Sequence, residues 1–281
     1  MTLDLVAVGE VLLDVTAPGL AAGAVVHAPV RVRAGGVPVH AALAAARVGA
    51  RAAVVGRVGS DPAAAAIRDG LARAGVEAWL SEDRERPSGT FVEAQNAIAA
   101  DRGAGAAFAI DDVPSVLEAG AVLVSGHTLL HDDTLAASRH AITSARARHV
   151  AVVAASVRLI ESLGPDGFHQ RASGATVLVA NADEARALTA LEPGPATGDL
   201  ARRYAVACVT AGAGGAFASA GEDVIHVRVD PVTGSSTGAG DVLAGVLLVS
   251  LLRGLELGPA LESACEAAVL ALSGDPAAPG G

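Results

Sequence analysis

The sequence predicts an α/β fold: a mostly parallel central sheet with helices on both faces and a small β appendage. Two observations carry this reading. Apolar, β-branched runs alternate with Ala-rich amphipathic runs, the βαβα rhythm that a parallel sheet needs, because each crossover between parallel strands takes a helix. The length, 281 residues, suits one large α/β domain or one such domain with an appendage. A composition 52% hydrophobic and 18% charged belongs to a globular chain, and at 2% aromatic the core must be built from Val, Leu, Ile and Ala.

Taken in order, LVAVG (5–9) reads as a buried strand and VHAALAAARVG (39–49) as a helix. AAVVGRVG (52–59) is a strand, and DPAAAAIRDGLARAG (61–75) a helix closed by glycine. AVLVSG (121–126), a helix around 132–147, HVAVVAA (149–155), TVLVAN (176–181) and AVACVTAG (205–212) continue the rhythm. Residues 15–35 and 86–109 break it with short alternating pieces such as VVHAPVRVR and TFVEAQNAIAA. Alternation without a helical partner points to exposed antiparallel strands, either two hairpin insertions or a flap over the sheet end. The expected division is a main body of 1–14, 36–85 and 110–281 and a lid of 15–35 and 86–109, with the tail GDPAAPGG frayed.

Bulk chemistry narrows the function classes. A net charge of −10 argues against nucleic acid and anionic membrane surfaces as partners. All 20 basic residues are arginine, which excludes a Walker-A, Schiff-base or other catalytic lysine. Cys208 and Cys265 lie in apolar stretches and read as reduced core residues, which points to the cytoplasm. The acidic N-terminus alternates like a strand and does not read as a signal peptide. The apolar run VLAGVLLVSLL is too short to span a bilayer.

The stretch TGSSTGAGDVLAGVLL (233–248) carries the sharpest chemical signal. Gly238, Ala239 and Gly240 precede an apolar helical run, and small residues let a phosphate approach the unpaired amides of a helix start. Asp241 in the first turn is a poor phosphate ligand, since like charges repel. It is well placed to take a proton from a hydroxyl attacking that phosphate. It also suits a plain helix start favoured by the dipole, with Thr237 as the cap.

The rest of the chain weighs on that choice. T-G-A-G-D followed by an apolar helix resembles the signature of the ribokinase-like (PfkB-type) sugar kinases, and the resemblance runs over nearly the whole chain in the family's order. GEVLLDV (9–15) looks like the opening strand, and the resemblance makes Asp14 a ligand of sugar hydroxyls. AGGVPVHAALAAARVG (34–49) and its continuation to residue 78 resemble the first family signature, with Gly35, Gly36 and His40 at the substrate pocket. PSGTFVEAQ (87–95) resembles the second flap segment, and LVSGHTL (123–129) the strand end beneath the sugar. NADEA (181–185) matches N-x-x-E, where Asn181 would serve the nucleotide and Glu184 a magnesium ion through water. VTAGAGGAFA (209–218) resembles the turn that receives the nucleotide, with Thr210 and Gly212 near the phosphates and Thr237 beside them.

The resemblance implies a ribokinase-like three-layer α/β/α sandwich with a β lid. It implies transfer of the γ-phosphoryl group of ATP, with Mg2+, to a hydroxyl of a sugar or sugar-like substrate. Asp241 would be the base and the amides of Gly238, Ala239 and Gly240 the anion hole, which needs no lysine. The lid implies a homodimer through its strand edges, and monovalent-cation dependence stays open.

Departures cluster at the sugar end. Ser235 stands where the family commonly has Asp, His40 replaces an asparagine that contacts sugar hydroxyls, and AASVR (154–158) replaces D-P-N-x-R, keeping Arg158. A common lysine after the nucleotide turn is Gly214. His127 and His131 have the i, i+4 spacing of a zinc pair but no third ligand, so a pocket edge or solvated helix start is the better reading. Arg31 and Arg33 read as an exposed lid strand face that an anionic substrate can use, and Arg146 and Arg148 as a solvated helix end. The expected activity is therefore a small-molecule kinase, the alternative a non-catalytic sugar-binding or regulatory protein on the same scaffold. Few aromatics argue against a nucleoside acceptor, whose base wants a stacking partner.

Overall fold

A computed structural model of the chain describes residues 2–17, 20, 25, 27, 29–94, 97–230 and 237–273. Ser235 and the tail GDPAAPGG lie outside the described residues. The chain runs β1 (Leu3–Val8), β2 (Leu12–Thr16), β3 (Arg31–Gly35), α1 (Val37–Arg47), β4 (Ala52–Gly59), α2 (Pro62–Arg73) and β5 (Glu77–Asp83). It continues through β6 (Gly89–Ala94), β7 (Ala97–Asp101), β8 (Leu117–Ser125), α3 (Gly126–Leu130), α4 (Leu135–Ser144), β9 (Ala145–Arg146) and β10 (His149–Val153). Then follow α5 (Val157–Arg171), β11 (Val177–Asn181), α6 (Ala182–Thr189), α7 (Pro193–Leu200), β12 (Val206–Thr210), β13 (Ala216–Ser219), β14 (Val224–Val227), α8 (Ala239–Leu252) and α9 (Leu257–Leu272).

The main sheet has the order β14-β13-β12-β11-β10-β8-β1-β4-β5, with the two-residue β9 paired to β8. It is parallel from β12 to β5, and β13 and β14 add an antiparallel edge. Alternate residues of each strand feed opposite faces. Leu5, Val54 and Leu123 join α1, α2, α8 and α9 in one core, while Val6, Val55 and Val122 join α3 to α7 in the other. Burial on both faces explains why these strands read as continuous apolar runs. Each fully buried Val or Leu contributes about 1.5–3 kcal/mol relative to an exposed one. No described helix is long and apolar enough to cross a membrane.

A second sheet, β3-β2-β6-β7, is built mostly from the two stretches expected to form the lid. Its edge pairs are antiparallel as expected, but β2 and β6 run parallel, because the two excursions leave the main body side by side. Its limits differ from the sequence division. β2 begins at Leu12, so Asp14 belongs to the lid sheet and not to the opening strand, which ends at Val8. At the other end β7 stops at Asp101, and Gly103–Ala107 forms a tight 3-10 turn against β4. Register places Val15, Val32 and Val92 on one face and Asp14, Arg33 and Phe91 on the other. Val32 is 55% exposed, so the first face is open.

The root of the lid is pinned by Asp61. Its carboxylate accepts from Ala64 N at 2.8 Å, capping α2, and from Ser88 N and Ser88 Oγ at 2.7 Å each. Ser88 Oγ in turn accepts from Gly59 N at 3.0 Å.

Candidate active site

The strands flanking β1 reverse the winding of the sheet: β4 lies on one side and β8 on the other. Ligands of open α/β sheets bind beyond the carboxyl ends of the strands at such a switch point. The chain leaves β1 there, builds the first lid hairpin, and returns through Gly35 and Gly36 into α1. A Cβ on Gly35 would lie 2.0 Å from Asp14 Cγ, so only glycine lets the Asp14 carboxylate rest across that backbone.

His40, one turn into α1, points its ring between two carboxylates. Its Nε2 lies 2.9 Å from Asp14 Oδ2 and its Nδ1 3.1 Å from Asp241 Oδ2. The side chains of His40, Asp14 and Asp241 are 22%, 17% and 16% exposed, so water screens them weakly. Ionised carboxylates only accept hydrogen bonds, and a neutral imidazole donates from one nitrogen. Both contacts together call for an imidazolium. Burial opposes the charge, but the hydrogen bonds and fields of the two aspartates outweigh it and push the His40 pKa up to about 10.

Asp241 arrives on the first turn of α8. Gly238 is the cap residue, left-handed at φ 81, and its missing Cβ would sit 2.9 Å from His40 Nδ1. The first intrahelical bonds run from Asp241 N and Val242 N to the Gly238 carbonyl, at 3.1 and 3.0 Å. The amides of Gly238, Ala239 and Gly240 therefore lie ahead of the helical ladder, at the positive end of the dipole. Thr237 does not cap the helix; its hydroxyl donates to Glu93 Oε1 on β6 at 3.3 Å, a second link between α8 and the lid.

N-x-x-E forms a capping box at the start of α6. Asn181 N donates to Glu184 Oε2 and Glu184 N donates to Asn181 Oδ1, both at 2.9 Å. That local reading was open in the sequence, since the spacing is the capping-box spacing. Each side chain keeps one further polar atom outside the box. Glu184 is buried, and desolvation pushes its pKa up to about 7, with the nearby Asp241 carboxylate adding to the rise and the Asn181 amide opposing it. Asn181 faces Thr210 in register at the carboxyl ends of β11 and β12, and Gly212 opens the turn that follows at φ 55.

Contacts thus unite Asp14, Gly35, His40, Gly238 and Asp241, and the field of Asp241 reaches Glu184. Asn181 joins through its capping box with Glu184 and Thr210 through its register with Asn181, while Gly212 follows in the next turn and Gly36 caps α1. The sequence reading missed Glu10 and Arg102. Glu10 leaves β1 at the switch point, buried, with Arg102 Nε and Ser125 Oγ each 3.5 Å from its carboxylate. Burial raises its pKa. The Gly-Glu pair directly after an apolar strand was the available signal. His127 and Arg158 are exposed.

The donor set fits a nucleotide-borne divalent cation. Glu184 is a buried carboxylate with one oxygen outside the capping box, and magnesium takes hard oxygen ligands, usually one or two carboxylates with phosphates and waters. Among the described residues no group of three or more His, Cys, Asp or Glu side chains forms an all-protein cage. A groove of 790 Å³ runs along α7, lined by residues such as Leu191, Gly198 and Arg202; it contains none of the site residues, and the chemistry lies elsewhere.

A family model for pfkB family carbohydrate kinases matches residues 2–277. No curated protein sequence matches the chain. Among solved structures, a putative ribokinase II from E. coli in complex with ATP and Mg2+ superposes with a TM-score of 0.86 at 18% identity, covering 97% of this chain and 93% of that one. Fructokinase from Vibrio cholerae O395 with fructose, ADP and calcium bound gives 0.82 at 20% identity, covering 98% and 94%. Adenosine kinase from Sinorhizobium meliloti gives 0.80 at 20% identity, covering 98% and 95%.

Proposed function

The chain belongs to the pfkB family of carbohydrate kinases, and on that premise we propose that it moves the γ-phosphoryl group of ATP to a hydroxyl of a sugar or sugar-like alcohol, with Asp241 as general base. The observation that carries this is the placement of one carboxylate beside three amides outside the helical ladder, at the start of α8. Asp241 takes the proton of the attacking hydroxyl while the new O–P bond forms in line with the bond to ADP that breaks. The amides of Gly238, Ala239 and Gly240 stabilise the charge on the transferring group. Asp14, Gly35 and Gly36 form the acceptor side with the His40 ring lining it, and Asn181, Thr210, Gly212 and Thr237 form the nucleotide side. Glu184 would hold a magnesium ion through water, and the ion would neutralise the phosphates. The lid covers the acceptor and excludes water. Its open face, with Val32 and Val92, supports pairing with a second copy of the chain.

The replacement of an asparagine by His40, whose ring occupies Asp241 Oδ2, favours the second reading, a binding protein on the same scaffold. ATP turnover with magnesium against sugars, sugar acids and nucleosides, in wild type and Asp241→Asn, separates the two. One acceptor that drives ADP release in wild type and not in the variant establishes the kinase. Binding of nucleotide or sugar with no turnover for any acceptor establishes the binder.

A further inference from the structure

The same three side chains cross a boundary in the fold. Asp14 sits on β2 of the lid sheet, His40 on α1 of the main body, and Asp241 at the start of α8. We propose that His40 is a positioning residue: as an imidazolium it ties Asp241 to the lid aspartate, so that the position of the lid sets the aim of the base. What the base does rests on the kinase reading; the strut itself does not.

The geometry supports a strut more than a ligand for substrate. Both ring nitrogens are engaged, at 2.9 and 3.1 Å, so the ring has no nitrogen left for an acceptor hydroxyl while the bridge stands. Both bonds are charge-assisted, roughly twice as strong as neutral ones. The ring also packs on Gly238, where a Cβ would come within 2.9 Å of Nδ1, so it has little room to swing towards α8. Held this way, Asp241 has Oδ2 committed to the ring and Oδ1 outside the bridge, a defined direction from which to take a proton. The charged groups around the bridge are Asp14 from β2 with its register partner Arg33 from β3, Asp241 from α8 and, in electrostatic reach of Asp241, Glu184 from α6. An asparagine at residue 40 would be a shorter, neutral link, with no positive charge to set between the two carboxylates.

The first test needs no turnover. In 15N-histidine-labelled protein without nucleotide or acceptor, at pH 8.5, we expect one histidine with both ring nitrogens protonated, absent from His40→Asn and brought to the neutral form in Asp14→Asn. A His40 signal that titrates near 6.5 in wild type overturns the strut. The second test is kinetic. His40→Asn and His40→Gln are expected to lower kcat by about 10- to 100-fold while acceptor KM changes little, as for a misaimed catalytic group. A rise in KM with kcat kept makes His40 a substrate contact and overturns the proposal, as does no change in either. A Asp14→Asn/His40→Asn double variant should lose no more kcat than the worse single variant, because both cut one strut; additive losses overturn the coupling to the lid. If no acceptor is ever phosphorylated, the kinase reading fails while the imidazolium signal still decides the strut. If Asp241→Asn abolishes turnover but His40 titrates as an ordinary histidine, the kinase stands and the strut falls.

Discussion

Two clusters in this molecule have the same outline, one cation between two carboxylates, and opposite characters. Beside the lid root, Arg57 Nε reaches Asp83 Oδ2 at 3.1 Å and its Nη1 reaches Asp112 Oδ1 at 3.0 Å. Each of those carboxylates has further donors. Asp83 accepts from the amides of Glu85 and Arg86 at 2.9 and 3.0 Å, and Asp112 from Ala109 N at 2.8 Å. Those amides and Arg57 hold the Asp83 pKa down to about 2. In the site, Asp14 and Asp241 share His40, and among the described residues no backbone amide donates to either carboxylate. Arginine cannot lose its charge in a protein; histidine can. A cluster saturated with donors and a permanent cation is architecture. A cluster with spare lone pairs and an ionisable cation keeps capacity for a hydroxyl or a proton.

The widest gap between the clusters should appear on deleting one carboxylate from the site. Asp241→Asn is expected to cost about 1000-fold in turnover and to lower Tm by no more than the few °C that the His40 bridge contributes, measured by ATP turnover and calorimetry on the same sample. A variant that unfolds would assign Asp241 to architecture and break the contrast. In the other cluster, Arg57→Met should do the reverse. Leaving Asp112 with no cation and Asp83 with only Arg86, 3.4 Å away, should lower Tm by about 5 °C, with turnover per folded molecule kept.

Acid and alkali should separate the clusters next. The His40 pKa is raised from 6.5 to about 10, so the native state holds the proton longer than the unfolded chain. That stabilisation is complete below pH 6.5 and fades as pH rises through 10. Asp83 has the opposite sign: lowered from 3.8 to about 2, it stabilises above pH 3.8 and loses that contribution as pH falls through 2. Wild type should therefore lose a few °C of Tm between pH 7 and 10 that His40→Asn does not lose. Parallel curves for the two proteins would remove the imidazolium from the site. The smallest effect is expected from Arg57→Lys, about 2 °C in Tm, because a point charge cannot fork between two carboxylates.

How much of this was legible follows the range of each interaction. β4 was expected at 52–59 and occupies Ala52–Gly59, because burial on both faces writes a continuous apolar run. The start of α8 was legible as a helix start, since small residues and one acid lie within a single turn. N-x-x-E was legible too, although its local role as a capping box went unread until the bonds were seen. The lid limits were not, because the body-to-lid crossing at Leu12 is a choice of pairing partner, and apolar alternation is the same in either sheet.

By itself, then, the sequence determined what local periodicity and helix-end chemistry can encode: a parallel α/β body with helices on both faces, the β excursions, the glycine-rich helix start and its aspartate. Only the tertiary structure decided that Asp14 stands in the lid and that His40, 26 residues from one aspartate and 201 from the other, bridges them. No local pattern specifies a contact across that separation. The ionisation of His40 depends on burial and on two carboxylates that only folding brings to its ring.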